Sequence, residues 1–177
     1  MNITVYLASS SGNDPIFEEE AEKLGAWIGD HGHTLIYGGS NRGLMGALAR
    51  SVMAHGGKVI GVEPKVFVER GYLIDGLDEL IITEDIRERR KKMIELGEAF
   101  IAFPGGTGTL EEISEVMTLV SLKMMDAPCV FYDLNGYYAD LRRQLDKMIE
   151  CGLSSKERQE GFSFVRNIEE LETVLNR

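Results

Sequence analysis

The sequence predicts an α/β chain: a central parallel sheet covered by helices on both faces. Three observations lead there. Short apolar runs alternate with amphipathic helical patterns, at intervals of roughly 25–30 residues. The clearest of these runs feed a polar or glycine-rich turn and then a helix, which is how parallel strands are connected. The chain has 177 residues, 44% of them hydrophobic, enough for one domain with a full core spanning residues 1–177.

The elements follow in order. Ile3 to Ala8 reads as a strand and Ser9 to Pro15 as a turn. A helix begins with Asp14 as N-cap and Pro15 in its first position, with Glu18, Glu19 and Glu20 in the early turns. Its apolar stripe is Phe17, Ala21, Leu24 and Ile28, bordered by Trp27, and it ends at Asp30-His31-Gly32-His33. The two histidines read as surface residues. Thr34 to Tyr37 is a second strand, running into a glycine-rich turn and a helix through Leu48, Val52 and Met53. Lys58 to Val62 is a third, stopped at Pro64, and the stretch 65–78 has mixed character. Leu80 to Ile82 is a short strand before a helix from Asp85 to Gly97.

That helix should bury Ile86, Arg90, Met93 and Ile94, so Arg89 and Arg90 interrupt or border a face that ought to be apolar. Either they pair within a charged helix surface or they point into an anion site. Ala99 to Phe103 is a strand, followed by a helix from Leu110 to Lys123 with Leu110, Ile113, Met117 and Val120 in the core. Met124 and Met125 read as packing residues. Pro128 to Tyr132 is a further strand and Gly136 to Glu150 a helix burying Leu141, Leu145, Met148 and Ile149. Ser154 to Gly161 reads as an exposed loop, Phe162 to Val165 as extended chain, and Ile168 to Leu175 as a terminal helix.

Composition excludes several classes. The net charge of -10 is wrong for non-specific binding of nucleic acid, which needs a cationic surface. Cys129 and Cys151 make neither a metal-ligand pattern nor a disulfide framework, and Cys129 reads as core. The opening residues lack the basic and longer apolar segments of a secretory signal, and no run approaches a membrane span, so the expectation is a cytoplasmic protein.

The chemistry concentrates in Phe103-Pro104-Gly105-Gly106-Thr107-Gly108-Thr109-Leu110-Glu111-Glu112. A glycine-rich turn between a strand and a helix offers backbone N–H groups and the positive end of the helix dipole to an anion such as phosphate. Two threonines add hydroxyl donors. Acidic residues favour a helix N-terminus, which accounts for one carboxylate beside such a cradle. Two imply more than phosphate binding, because like charges near phosphate repel it. The second turn, Gly39-x-x-x-Gly43-x-x-Gly46, is neither a dinucleotide fingerprint nor a P-loop, so an NAD-dependent oxidoreductase is disfavoured. Ligands in such sheets sit beyond the carboxyl ends of the strands, so the turns at Ser9–Gly12, Gly38–Gly46 and Pro104–Thr109 should converge.

Residues 104–112 match PGGxGTxxE, the signature of the Lonely Guy family of cytokinin riboside 5′-monophosphate phosphoribohydrolases, often labelled lysine decarboxylases. The resemblance runs almost end to end. Ser9 to Asn13 resembles the family's first loop, Tyr37 to Gly46 its YGG…GLMG segment, Arg89-Arg90-x-x-Met93 its Arg-Lys-x-x-Met, and Asp133 to Tyr138 its GYY segment. It implies a Rossmann-like three-layer fold and a homodimer with the active site near the interface. The implied reaction hydrolyses the N-glycosidic bond of an adenine-type nucleoside 5′-monophosphate to free base and ribose 5-phosphate, without metal or redox cofactor.

By this resemblance Arg89 and a glutamate of the signature carry catalysis, with Glu112 in the carboxylate role and Glu111 as ribose-binding partner. Ser9, Gly39, Ser40, Met45, Glu69, Arg90, Gly105, Gly106, Thr107, Gly108, Thr109 and Thr118 would bind substrate. The chain departs from the family at Thr107, commonly Tyr, at Leu119 and Ser121, commonly Trp and Gln, and at Leu7-Ala8, commonly Cys-Gly. These departures leave the phosphate and carboxylate machinery in place but open the choice of base to plain AMP. A nucleotide-binding protein with little hydrolysis is the rival reading. No lysine is marked as a Schiff-base former, so lysine decarboxylation gains no support.

Overall fold

A computed structural model describes residues 1–176. Seven strands form one sheet: β1 (Asn2–Tyr6), β2 (Thr34–Tyr37), β3 (Lys58–Pro64), β4 (Glu79–Thr83), β5 (Ala99–Ala102), β6 (Cys129–Tyr132) and β7 (Phe162–Val165). Their spatial order is β4-β3-β2-β1-β5-β6-β7, and every neighbouring pair is parallel. The helices are α1 (Ile16–Asp30), α2 (Gly43–Ala54), α3 (Lys65–Val68), α4 (Ile86–Leu96), α5 (Thr107–Ser121), α6 (Ala139–Glu150), α7 (Lys156–Gln159) and α8 (Ile168–Leu175), with a 3₁₀ turn at Leu134–Gly136. This is the expected α/β, Rossmann-like layering.

Burial on both faces follows from the alternation along the strands. Ile3 and Val5 of β1 join Leu24, Ile28, Leu48, Val52 and Leu171 in a core under α1, α2 and α8. Tyr6 of the same strand joins Phe100, Phe131, Met93, Ile113 and Val116 in a second core under α4 and α5. Thr4 is fully buried and donates its hydroxyl to the Met93 carbonyl at 3.1 Å, which fastens α4 to the central strand. The chain runs outward from β1 to β4, then returns to the other side of β1 as β5. That reversal opens a crevice at the carboxyl ends of the two strands.

Several local expectations are corrected. Helix α5 begins at Thr107, three residues before Leu110, so the Thr-Gly-Thr segment is its first turn. It presents Thr109, Glu112, Ile113, Val116 and Val120 inward, which rotates Leu110 outward to 45% exposure. Ile86 is also exposed, because the first residue of α4 stands beyond the end of the sheet; of that helix only Met93 is fully buried. Met124 lies past the end of α5 and is exposed, while Met125 packs on the second core. The stretch 154–161 contains the short α7, capped by the Ser155 hydroxyl, rather than a plain loop. Helix α6 starts at Ala139, after the 3₁₀ turn. Helix α1 starts at Ile16, whose N–H donates to the Asp14 carboxylate at 3.0 Å, so Asp14 still satisfies the helix end from one residue further out.

Candidate active site

The turns after β1, β2, β3 and β5 surround a cleft of about 420 Å³, within the range of small-molecule sites. One end is the strand-to-helix turn after β5. The Phe103 N–H donates to the Tyr6 carbonyl at 2.9 Å and the Ala8 N–H to the Pro104 carbonyl at 3.3 Å. Tyr138 and Tyr137 donate their hydroxyls to the carbonyls of Phe103 and Gly105 at 2.9 and 2.5 Å. The turn is therefore held from both sides. Gly106 is the N-cap of α5 and supplies no side-chain cap, so the helix N-terminus opens on the cleft. Gly106, Thr107, Gly108 and Thr109 all line it. Backbone donors and the helix dipole at this place suit an anion.

The middle of the cleft is an ion pair. Asp85 caps α4 by accepting from the N–H groups of Arg87 and Glu88 at 2.8 and 2.9 Å. Arg89, in the first turn, then extends toward the sheet edge. Its Nε donates to the Val62 carbonyl at 3.1 Å and its Nη1 lies 3.1 Å from Oε1 of Glu112. Room for the guanidinium comes from Gly38, where a β-carbon would overlap Nη2. The two side chains are 14% and 9% exposed. Burial raises the Glu112 carboxyl above the ordinary range, and the Arg89 charge opposes that rise.

At the far end stand residues from the β2 and β3 side. Ser40, Arg42, Met45, Phe67 and Tyr72 line the cleft, with the Arg42 guanidinium 4.8 Å from the centre of the Tyr72 ring. Glu63 of β3 lines it too and is only 4% exposed. Burial pushes its carboxyl up to about 7, partly offset by Arg89.

The sequence finds relatives of this arrangement. A family profile described as "Possible lysine decarboxylase" matches residues 45–175. The cytokinin riboside 5′-monophosphate phosphoribohydrolase LOG1 of Arabidopsis thaliana is 37% identical over 153 residues, covering 86% of this chain and 72% of that protein. The cytokinin riboside 5′-monophosphate phosphoribohydrolase of Mycobacterium marinum is 36% identical over 168 residues, 95% of this chain and 89% of that one. The chain belongs to the Lonely Guy family.

The fold extends beyond it. The molybdenum cofactor carrier protein of Chlamydomonas reinhardtii superposes with a TM-score of 0.72 at 20% identity, over 99% of this chain and 97% of that one. The molybdenum cofactor binding protein of Rippkaea orientalis does so at 0.69 and 19%, over 98% and 96%. At that identity only the architecture is shared.

Within this Lonely Guy chain, the cleft brings together Ser9, Ser40, Met45, Arg89, Gly106, Thr107, Gly108, Thr109 and Glu112. Gly39 lies against Glu63 at the cleft's edge, and Gly105 supports the turn from behind through its bond with Tyr137. Four expected residues lie elsewhere. Arg90 turns to the outer side of α4, where it pairs with Glu111 and, at 3.1 Å, with Glu115. Glu111 is thereby held outside the cleft. Thr118 is exposed and donates to the Ser114 carbonyl. Glu69 is exposed at the end of α3.

Sequence reasoning passed over Glu63, Arg42, Phe67, Tyr72 and Ile86, all of which line the Lonely Guy cleft. A signal existed for Glu63. It follows the apolar run Val59 to Val62 at the carboxyl end of a strand, where ligands of parallel sheets bind. Among the described residues no lysine lines the cleft and no metal-holding group of His, Cys, Asp or Glu is present.

Proposed function

We propose that this protein hydrolyses the N-glycosidic bond of adenine-type nucleoside 5′-monophosphates, giving free base and ribose 5-phosphate. The observation that carries the reading is the buried Arg89–Glu112 pair set beside the α5 N-terminus in one cleft. A phosphate binder needs the N-terminus alone. A buried carboxylate next to it is unfavourable for phosphate and useful only if positive charge develops nearby.

Breaking the bond between C1′ and the base builds such charge on the ribose. The cradle at Gly106–Thr109 holds the phosphate and contributes binding energy remote from the reacting bond. Glu112 then faces the ribose, where its carboxylate stabilises the oxocarbenium-like centre or orients the attacking water. Arg89 aims that carboxylate and opposes the rise that burial causes. The names of the relatives support this reading. The other family description, lysine decarboxylase, would call for a pyridoxal-type Schiff-base lysine, and the residues lining the cleft do not fit one.

The same reading takes the chain as one cytoplasmic domain acting as a homodimer. Exposed Ile86 and Leu110, at the starts of α4 and α5, support a subunit contact beside the cleft. The departures from the family keep plain AMP open as an alternative to a prenylated nucleotide: Thr107, in place of the family's Tyr, lines the cleft, whereas Leu119 and Ser121 lie outside it and the Ser121 hydroxyl is engaged with the Arg158 carbonyl at 2.8 Å. Base release from AMP and from isopentenyladenosine monophosphate, followed side by side by chromatography, tests both. Release from either supports the hydrolase, and the ratio fixes the preference. Tight binding without release would make the protein a nucleotide-binding one.

A further inference from the structure

Glu63 is the penultimate residue of β3 and one of the buried polar side chains of the molecule, at 4% exposure. Among the described residues its carboxyl makes no hydrogen bond and no ion pair. It borders the cleft, and the residue across from it is Gly39, at φ +79, where a β-carbon would lie 3.6 Å from Oε2. The missing side chain leaves the carboxyl uncovered on that side. The charged and titratable groups acting on it are Arg89 from α4, Glu112 from α5 and the Tyr37 hydroxyl from β2, and Arg42 from the β2–α2 turn lines the same cleft. Arg89 is already engaged by Val62 and Glu112, and the Tyr37 hydroxyl is itself buried without a partner. The Glu63 oxygens, by contrast, are not sealed off like that hydroxyl: they keep an opening on the cleft and have no protein partner among the described residues to compete with a ligand seated there.

Its position says which part of a ligand that is. The anion cradle follows β5, and β1 and β2 lie between it and β3. Three strand spacings separate the two ends, roughly 14 Å. The Arg89–Glu112 pair stands between. Phosphate, ribose and base would meet cradle, ion pair and Glu63 in that order.

We propose that Glu63 is the catalytic acid that protonates a ring nitrogen of the departing purine; the inference rests on the hydrolytic reading above. The C1′–N bond breaks and its electron pair goes to the base. The Glu63 proton neutralises the base as it leaves. Water bonds to C1′ and gives its spare proton to the Glu112 carboxylate. Exchange with solvent returns a proton to Glu63 and removes one from Glu112. One water is consumed per nucleotide. The two carboxyls divide the work by environment: Glu112 has the Arg89 guanidinium 3.1 Å away to oppose the upward push of burial, whereas Glu63 has no ion-pair partner among the described residues and burial pushes its carboxyl up to about 7.

The test compares wild type and Glu63→Gln on AMP and on p-nitrophenyl β-D-ribofuranoside 5-phosphate, whose leaving group departs as a stable anion without a proton. On AMP the variant should lose about 100-fold or more in kcat with little change in KM. On the aryl substrate it should stay within about threefold of wild type. Wild-type kcat on AMP should fall as pH rises through about 7, and that limb should be missing with the aryl substrate. Equal loss on both substrates, or unchanged turnover of AMP, overturns the acid role while leaving the hydrolase intact. Should the variant not fold, the two wild-type pH profiles decide alone, and a shared limb rejects the proposal. A wild type that cleaves neither substrate overturns the hydrolytic reading, and the acid with it.

Discussion

The guanidinium of Arg89 joins two structural layers: its Nε is bonded to the Val62 carbonyl of β3, and its Nη1 sits 3.1 Å from the Glu112 carboxylate in the second turn of α5. One side chain thus fixes the carboxylate with respect to the strand ends. Charge-assisted contacts of this kind are strong and directional.

Replacing Glu112 by Gln should therefore reduce turnover by about 100-fold or more while nucleotide affinity changes by no more than about threefold. Separate measurement of kcat and of Kd for AMP checks the split. Arg89→Ala should in addition destabilise the protein by about 3–5 kcal/mol, because it leaves Glu112 buried without its cation. Chemical denaturation at pH 7 reads that loss, and the double replacement of both residues by apolar ones should cost less than the sum of the single changes.

Arg90 and Glu111 should behave differently, although they are the sequence neighbours of that pair. Arg90 is tied to Glu111 and Glu115 on an outer surface where the acidic partners are 60% and 44% exposed. Such pairs contribute little, so Arg90→Ala should cost under about 1 kcal/mol. Glu111→Gln should keep turnover within about threefold of wild type. A loss comparable to that of Glu112→Gln would place Glu111 in the reaction after all.

The ionisation of Glu63 predicts a pH dependence of stability. Its carboxyl goes from an ordinary 4.5 to about 7 on folding, so between those values the folded state binds more protons than the unfolded one. Stability must then fall as pH rises through that window, by up to about 3 kcal/mol from this group. Glu63→Gln removes the effect. It should be more stable than wild type at pH 8 and indistinguishable at pH 4, as thermal unfolding at the two pH values would show.

The subunit contact has its own check. Leu110 is exposed on α5 and takes no part in lining the cleft. Leu110→Asp should turn a dimeric wild type into a monomer in sedimentation velocity, with an unchanged circular dichroism spectrum. A wild type that sediments as a monomer would remove the dimer from the reading.

The cradle was legible because each of its parts is local. An apolar run, a Gly-Thr turn and a helical pattern stand side by side in residues 99–113, and no distant contact is needed to recognise them. Arg89 was legible as a charge bordering a face that should be apolar, and Glu112 as a second carboxylate beside an anion cradle. Helix phase and side-chain partnership were not legible. The exposure of Leu110 follows from where α5 begins, and a glycine-rich turn allows more than one start. The pairing of Arg90 with Glu111 joins two helices far apart in sequence, so it cannot be read along the chain. Glu63 escaped notice for the same reason. Next to Pro64 it looks like the start of a solvated turn, and it is buried only because the β2–α2 turn and α4 close over it.

The reversal of chain direction around β1 has a further consequence for how such a protein can diversify. The two ends of its cleft are made by separate stretches of chain, residues 104–109 on one side and residues 39–72 on the other. They are held apart by the strands between them. Changes at sites this distant act nearly independently. On the proposed reading, the half that would grip the sugar phosphate can thus stay fixed while the other half is rewritten, residue by residue, to accept a different base.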